Sequence, residues 1–301
     1  MAIGYGFLTK GGFWTPKGHV IAAFAARASE AAATQFLELR QGEILCHLKY
    51  YLQAQGHLAL RLGQLILEKA EVSEELLKRE PLVEDWLVEA YRWALSKTGD
   101  LRERVELREK IKELSKGYDP DVRWHKLSPI IWPLVDFGMV GTSLERKQHG
   151  VRLFSAKYLG ARRPLEALLS QISSFEALER EEKEGTLLRT IARAYNLSLS
   201  APSLAHLRTL LGEAYLRVRM LPTGMASLAA MSDICTIRGI LEFGTWIPAA
   251  RVLSELESLQ GKFPGGVRFQ YDRTGHRSSV IVADEALTGL RNGGPSNLGY
   301  V

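Results

Sequence analysis

The chain has 301 residues, of which 46% are apolar, 24% charged and 9% aromatic, an ordinary globular composition that excludes wholesale disorder. That length exceeds what a single hydrophobic core usually supports, so two or three sub-domains are expected. Thirty-nine basic against 34 acidic residues leave a net charge of +5, which suits an anionic partner only where the excess is locally concentrated.

Residues 1–18, MAIGYGFLTKGGFWTPKG, alternate apolar and small side chains around Lys10-Gly11-Gly12, the pattern of a β-hairpin with a glycine turn. They lack the charged start and continuous apolar stretch of a signal peptide, and no run approaches the ~18 apolar residues of a membrane span. A cytoplasmic protein without a membrane partner is therefore expected. Over 19–33 and 35–69 apolar residues recur at three and four (Phe36, Leu37, Ile44, Leu45, Leu48, Leu52, Leu58, Leu62, Leu65, Ile66), which predicts two amphipathic helices, the second open to a break at Gly42 or Gly56. Residues 72–115 stay helical but richly charged, with Ser73 as an N-cap, Pro81 opening a second helix and Thr98-Gly99-Asp100 as a stop and restart. The broad stripe of Leu82, Trp86, Val88, Tyr91, Trp93 and Leu95 predicts packing against a neighbouring sub-domain.

Ser128 and Pro129 form an N-cap and first-turn pair that predicts a helix over 128–137, kinked by Pro133 and ended by Phe137-Gly138. Alternating segments at 139–144 and 151–159 then flank Gln148-His149-Gly150, predicting a hairpin. A helical pair follows over 163–196, with the acids Glu176, Glu179, Glu181, Glu182 and Glu184 on a solvated face. Helices are expected at 204–220, 225–243 and 248–260, the last capped by Thr245, opened by Pro248 and stopped by Gly261. A second hairpin at 266–271 and 278–283 turns at Arg273-Thr274-Gly275-His276, and the tail 288–301, rich in Gly, Asn and Ser, is expected to be loose.

SPIIWPLVDFGMV running into LERKQHGVRLFSAKY, and IPAARVLSELESLQ running into VRFQYDRTGHRSSVIV, resemble the helix-then-wing order of the winged-helix superfamily. The opening GFLTKGGFWTPKG resembles the wing end of a third copy. The fold this implies is mainly α, with helical layers and two or three winged-helix-like modules each ending in a β-hairpin. The divisions are then 1–69 (hairpin plus helices), 70–115 (charged connector), 116–163 (first winged module), 164–202 (helical connector), 203–287 (C-terminal winged module) and 288–301 (tail). The resemblance also implies a helix that enters a major groove and a wing that reaches a flanking phosphate backbone or minor groove.

The charge distribution agrees with that. Between 145 and 163 six basic residues, Arg146, Lys147, Arg152, Lys157, Arg162 and Arg163, face one acid, a local excess equal to that of the whole chain. Between 262 and 277, Lys262, Arg268, Arg273 and Arg277 face Asp272 alone. With His149, Arg251 and His276 these are the expected DNA contacts, mainly to phosphate, since the reading helices offer few of the arginine, lysine, asparagine or glutamine side chains that base edges prefer. The expected function is a non-enzymatic double-stranded DNA-binding protein: a regulator, replication initiator or recruitment factor. Basic hairpins also serve as edges guarded against strand addition. Winged-helix folds also dock proteins, which leaves an adaptor role open, with the stripe near Trp86 and Trp93 or the tail as the docking element.

Catalytic spacings are thin. Arg40 and His47, seven apart on one helix, resemble the arginine-to-histidine spacing of HEPN-type ribonucleases, an alternative that predicts RNA cleavage dependent on His47. No serine stands in a nucleophile elbow, and Lys10-Gly11-Gly12 and Pro264-Gly265-Gly266 lack the lysine and hydroxyl ending of a phosphate loop. Cys46 and Cys235, the only cysteines, lie in apolar helical patterns and read as core thiols in a reducing compartment. None of the seven histidines stands at ligand spacing, so no metal or cofactor is expected.

Overall fold

A computed structural model describes residues 15–25, 41–145, 151–155, 162–200 and 203–291. The sequence-predicted hairpin at 1–18 and the tail at 288–301 therefore fall largely outside the described residues. The chain separates into two compact units, one formed by Tyr51–Glu181 and the other by Met1–Tyr50 together with Glu182–Val301. Helix α1 spans Pro16–Ala25 and α2 spans Gln41–Lys69. Neither Gly42 nor Gly56 breaks α2. Gly56 instead lets another element close in: a Cβ there would stand 2.5 Å from Leu178 Cδ2.

The unit Tyr51–Glu181 continues with β1 (Glu71–Ser73), α3 (Glu74–Arg79), α4 (Leu82–Lys97) and α5 (Leu101–Leu114). Ser73 accepts the Leu76 amide at 3.0 Å and starts α3. Asp100 accepts from Arg102 at 2.8 Å and Glu103 at 3.3 Å and starts α5, so the stop and restart at 98–100 fall where the sequence puts them. Helix α4 packs against α5, and Trp93 stacks on Phe175 with ring centroids 5.2 Å apart. Helix α6 spans Pro120–Asp136, so it begins well before Ser128. Asp119 and Pro120 form the real cap and first-turn pair, and Pro129 and Pro133 sit inside the helix. Its buried stripe is Leu127, Ile130, Ile131 and Leu134. Strands β2 (Gly141–Glu145) and β3 (Val151–Ser155) follow, then α7 (Arg162–Gln171) and α8 (Phe175–Lys183). The sheet is antiparallel in the order β1-β3-β2, with Val72 and Thr142 on either side of the fully buried Phe154.

The second unit continues with α9 (Leu187–Ala194), α10 (Leu204–Val218), β4 (Met225–Ser227), α11 (Leu228–Phe243) and α12 (Ala249–Lys262). Strands β5 (Val267–Tyr271) and β6 (Arg277–Val282) and helix α13 (Asp284–Arg291) complete it. Residues 225–227, which helical periodicity absorbs, form a strand because they pair with Ile281, Val280 and Ser279. Thr245 does not cap α12: its hydroxyl donates to the Gly239 carbonyl at 3.2 Å, and Pro248 occupies the cap position. Gly261 lies within α12 rather than stopping it. A left-handed glycine does end α11: Gly244, at φ 58°. Tyr215 of α10, 1% exposed, donates to the Gly224 carbonyl at 2.7 Å and accepts the Val282 amide at 3.1 Å, fixing β6 over the core.

The two units thus hold the same arrangement. A three-residue strand ends in a serine that caps the next helix (Ser73, Ser227), a second helix follows, and a hairpin closes a sheet of order β1-β3-β2 or β4-β6-β5. The buried positions of the second helix recur at identical spacing: Leu127, Ile130, Ile131 and Leu134 in α6, and Val252, Glu255, Leu256 and Leu259 in α12. The protein is mainly α with two winged-helix-like modules. They differ in that α4 and α5 are inserted between α3 and α6, whereas only residues 244–248 separate α11 from α12.

Candidate nucleic-acid interface

In the second module the solvent side of α12 presents Arg251, Ser254, Glu257, Ser258 and Lys262, all exposed. The buried stripe faces the other way, and its one carboxylate, Glu255, is neutralised by Arg208 of α10 at 2.7 Å. The β5–β6 hairpin projects Arg268 from its first strand and Arg273 from its turn, both exposed. Asp272 organises that turn. Its Oδ1 accepts the Thr274 hydroxyl at 2.6 Å, the Thr274 amide at 2.8 Å and the His276 amide at 3.0 Å, while Gly275 takes φ 82°. These hydrogen bonds, the Thr274 hydroxyl first, hold the Asp272 carboxyl below its ordinary range. With the Thr274 proton given to Asp272, the 2.8 Å contact between Thr274 Oγ1 and His276 Nδ1 requires that His276 donate. An exposed cation, Arg273, therefore stands on a turn whose shape is fixed by its own side chains.

Arg277 is placed differently. Its guanidinium is ion-paired with Glu257 of α12 and lies 4.6 Å from the centroid of the Phe269 ring, so it ties wing to helix instead of projecting. The hydrogen bond to Glu257 keeps it protonated above its ordinary range.

In the first module Arg146, Lys147, His149 and Lys157 lie outside the described residues, and Arg162 and Arg163 open α7 with only their backbone described. Arg152 on β3 is half-buried, with its guanidinium 4.8 Å from the centroid of Trp132. Sequence periodicity misses His125 and Lys126, both exposed on α6, because it starts that helix too late. The Asp119-Pro120 pair is the signal that finds them. Arg123, also on α6, faces inward: its Nε donates to Glu84 at 2.6 Å and its Nη1 to the carbonyls of Lys78 and Arg79 at 3.2 and 3.1 Å.

Of the ribonuclease pair, Arg40 lies outside the described residues. His47 is half-buried on α2, and burial lowers its pKa. Nearby, Lys49 and Tyr50 reach Asp233 of α11 at 2.5 and 2.7 Å, joining the start of α2 to the second module. Both cysteines are buried; burial pushes the Cys235 thiol up to about 12 and the Cys46 thiol well above its usual value, so neither supplies a thiolate near neutral pH. Among the described residues no cluster of His, Cys, Asp and Glu could hold a metal ion, and no helix is long and apolar enough to cross a membrane. Comparison with known protein families, with curated proteins and with solved structures finds no match.

Proposed function

We propose that the chain binds double-stranded DNA through its second winged module, with phosphate and groove shape as the main determinants. The observation that carries this reading is the fixed, cationic tip of the β5–β6 hairpin beside α12: Arg268 and Arg273 on the wing and Arg251 and Lys262 on the helix are all exposed. Projecting arginines and lysines neutralise phosphates and release counterions, and an arginine at a hairpin tip fits a narrow minor groove. The face of α12 supports backbone binding more than base reading, because Glu257 repels phosphate except where Arg277 offsets it. Such binding suits a regulator, a replication initiator or a recruitment factor.

The test is fluorescence anisotropy with a labelled random-sequence duplex at low and moderate salt. The intact protein should bind tightly at low salt and lose affinity steeply as salt rises. The variant Arg251→Ala, Arg268→Ala, Arg273→Ala should bind more weakly, with a salt slope shallower by roughly one unit per phosphate contact removed. Absence of binding at low salt, or binding that the triple substitution leaves unchanged, would refute the reading.

A further inference from the structure

The two modules share a fold but not a surface. Matching the buried stripes of α6 and α12 sets Pro129, Trp132 and Pro133 where α12 has Ser254, Glu257 and Ser258. Base edges in a duplex groove are read by side chains with several donors and acceptors. Proline has none and tryptophan a single donor. On α6 only Lys126, at the position of Arg251, keeps such a side chain, and a ring or a proline stands at each of the other three.

Those rings are arranged with cations. Trp124 and Trp132, both partly exposed, stand on α6 about 12 Å apart along its axis at ~1.5 Å per residue. Both pack against the buried Phe154, at centroid distances of 6.1 and 5.7 Å. Each is accompanied by a cation from a different element: Lys78 of α3 lies 5.8 Å from the Trp124 ring, and Arg152 of β3 lies 4.8 Å from the Trp132 ring. Lys78 also pairs with Glu74 at 2.9 Å, which leaves Arg152 the stronger cation of the two. Bases in a duplex present only their edges, whereas unpaired bases present faces. Rings interleaved with cations are the chemistry that stacks such faces and tracks the phosphates between them.

We propose that the strip formed by Lys78, Trp124, Trp132 and Arg152 binds single-stranded DNA by stacking unpaired bases. The inference uses the shared fold of the modules and does not require duplex binding by the second.

The experiment is anisotropy of the full chain with a labelled mixed-sequence single-stranded oligodeoxynucleotide that cannot self-pair, run beside the duplex. Trp132→Ala should weaken single-strand binding at least ~10-fold, the loss expected for a base–aromatic stack. Arg152→Ala should weaken it too, Trp132→Phe should retain most of it, and both Trp132 variants should leave duplex binding unchanged. The Arg251, Arg268, Arg273 triple substitution should leave single-strand binding intact. If Trp132→Ala does not fold, the contrast between Arg152→Ala and Trp132→Phe decides. No single-strand binding at low salt, or binding lost in the triple variant and kept in the Trp132 and Arg152 variants, overturns the proposal. Absence of duplex binding by the intact chain, with single-strand binding in place, refutes the reading of the second module and leaves this one supported.

Discussion

Replacing Arg123 with methionine removes a cation that three elements share. Its partner Glu84 is 5% exposed and Arg123 itself 13%, with Nε and Oε1 2.6 Å apart. Breaking a buried pair by deleting one member costs about 3–5 kcal/mol, because the remaining charge loses its compensation. The lower end, about 3 kcal/mol, is expected here, since Glu84 keeps the Tyr118 amide at 2.6 Å. The carbonyls of Lys78 and Arg79 lose their guanidinium donor as well, so the damage should centre on α3 and the start of α6. The Oε2 atom of Glu84 is buried without a partner even in the intact pair. The double variant Glu84→Leu, Arg123→Met strands no charge and should be more stable than Arg123→Met, although the Tyr118 amide and the Lys78 and Arg79 carbonyls lose these partners in it. Urea denaturation followed by circular dichroism gives the energies, and hydrogen exchange of α3 and α6 amides gives the location. A single-variant loss below about 1 kcal/mol at neutral pH, the range of solvent-screened surface pairs, would refute this account.

Two further outcomes follow from packing and protonation. A methyl at Gly239 would stand 2.8 Å from Ile247 Cδ1 and 3.1 Å from the Thr245 carbonyl oxygen, and the Gly239 carbonyl is held by the Thr245 amide at 2.9 Å. Gly239→Ala should therefore lower stability by about 1–2 kcal/mol despite the gain in helix propensity; a higher melting temperature would contradict it. His57 borders a cavity with Arg61, Glu89, Trp93 and Phe175, and burial followed by the Arg61 charge pushes its pKa down to about 4. The unfolded imidazole protonates near ~6.5, so the unfolded chain binds more protons between those values. The contribution of His57 is then complete above that upper value and is lost as pH falls through the window. His57→Gln should flatten the stability profile between about pH 6.5 and about pH 4, and identical profiles for the two proteins would remove His57 as the cause.

The hairpins are legible in sequence because alternation survives over five or six residues and the turns carry glycine, as β5 and β6 do around Gly275. The strands β1 and β4 are not. Glu71-Val72-Ser73 and Met225-Ala226-Ser227 are too short to display a period, and their residues suit a helix as well as a strand. They are strands because β3 and β6 lie beside them, a pairing over more than fifty residues that no local window contains. Capping serines at Ser73 and Ser227 are local signals and mark the helices that follow. The start of α6 was legible too, in Asp119-Pro120, but a second serine-proline pair downstream competes with it, and only the buried partners of Arg123 decide between them.

Charge is where the sequence misleads most, because a tally along the chain counts every cation as presented. In 262–277 four cations face one acid, an apparent excess of three. Arg277 is spent on Glu257, which belongs to a helix twenty residues earlier, so three cations face Asp272 and the presented excess falls to two. Arg123 is likewise withdrawn into the first module by Glu84, while Lys126, on the same helix, is exposed. Phosphate binding scales with the cations that reach the backbone. The second module should thus show a salt slope set by Arg251, Lys262, Arg268 and Arg273, and Arg277→Ala should loosen the wing from α12 before it changes that slope.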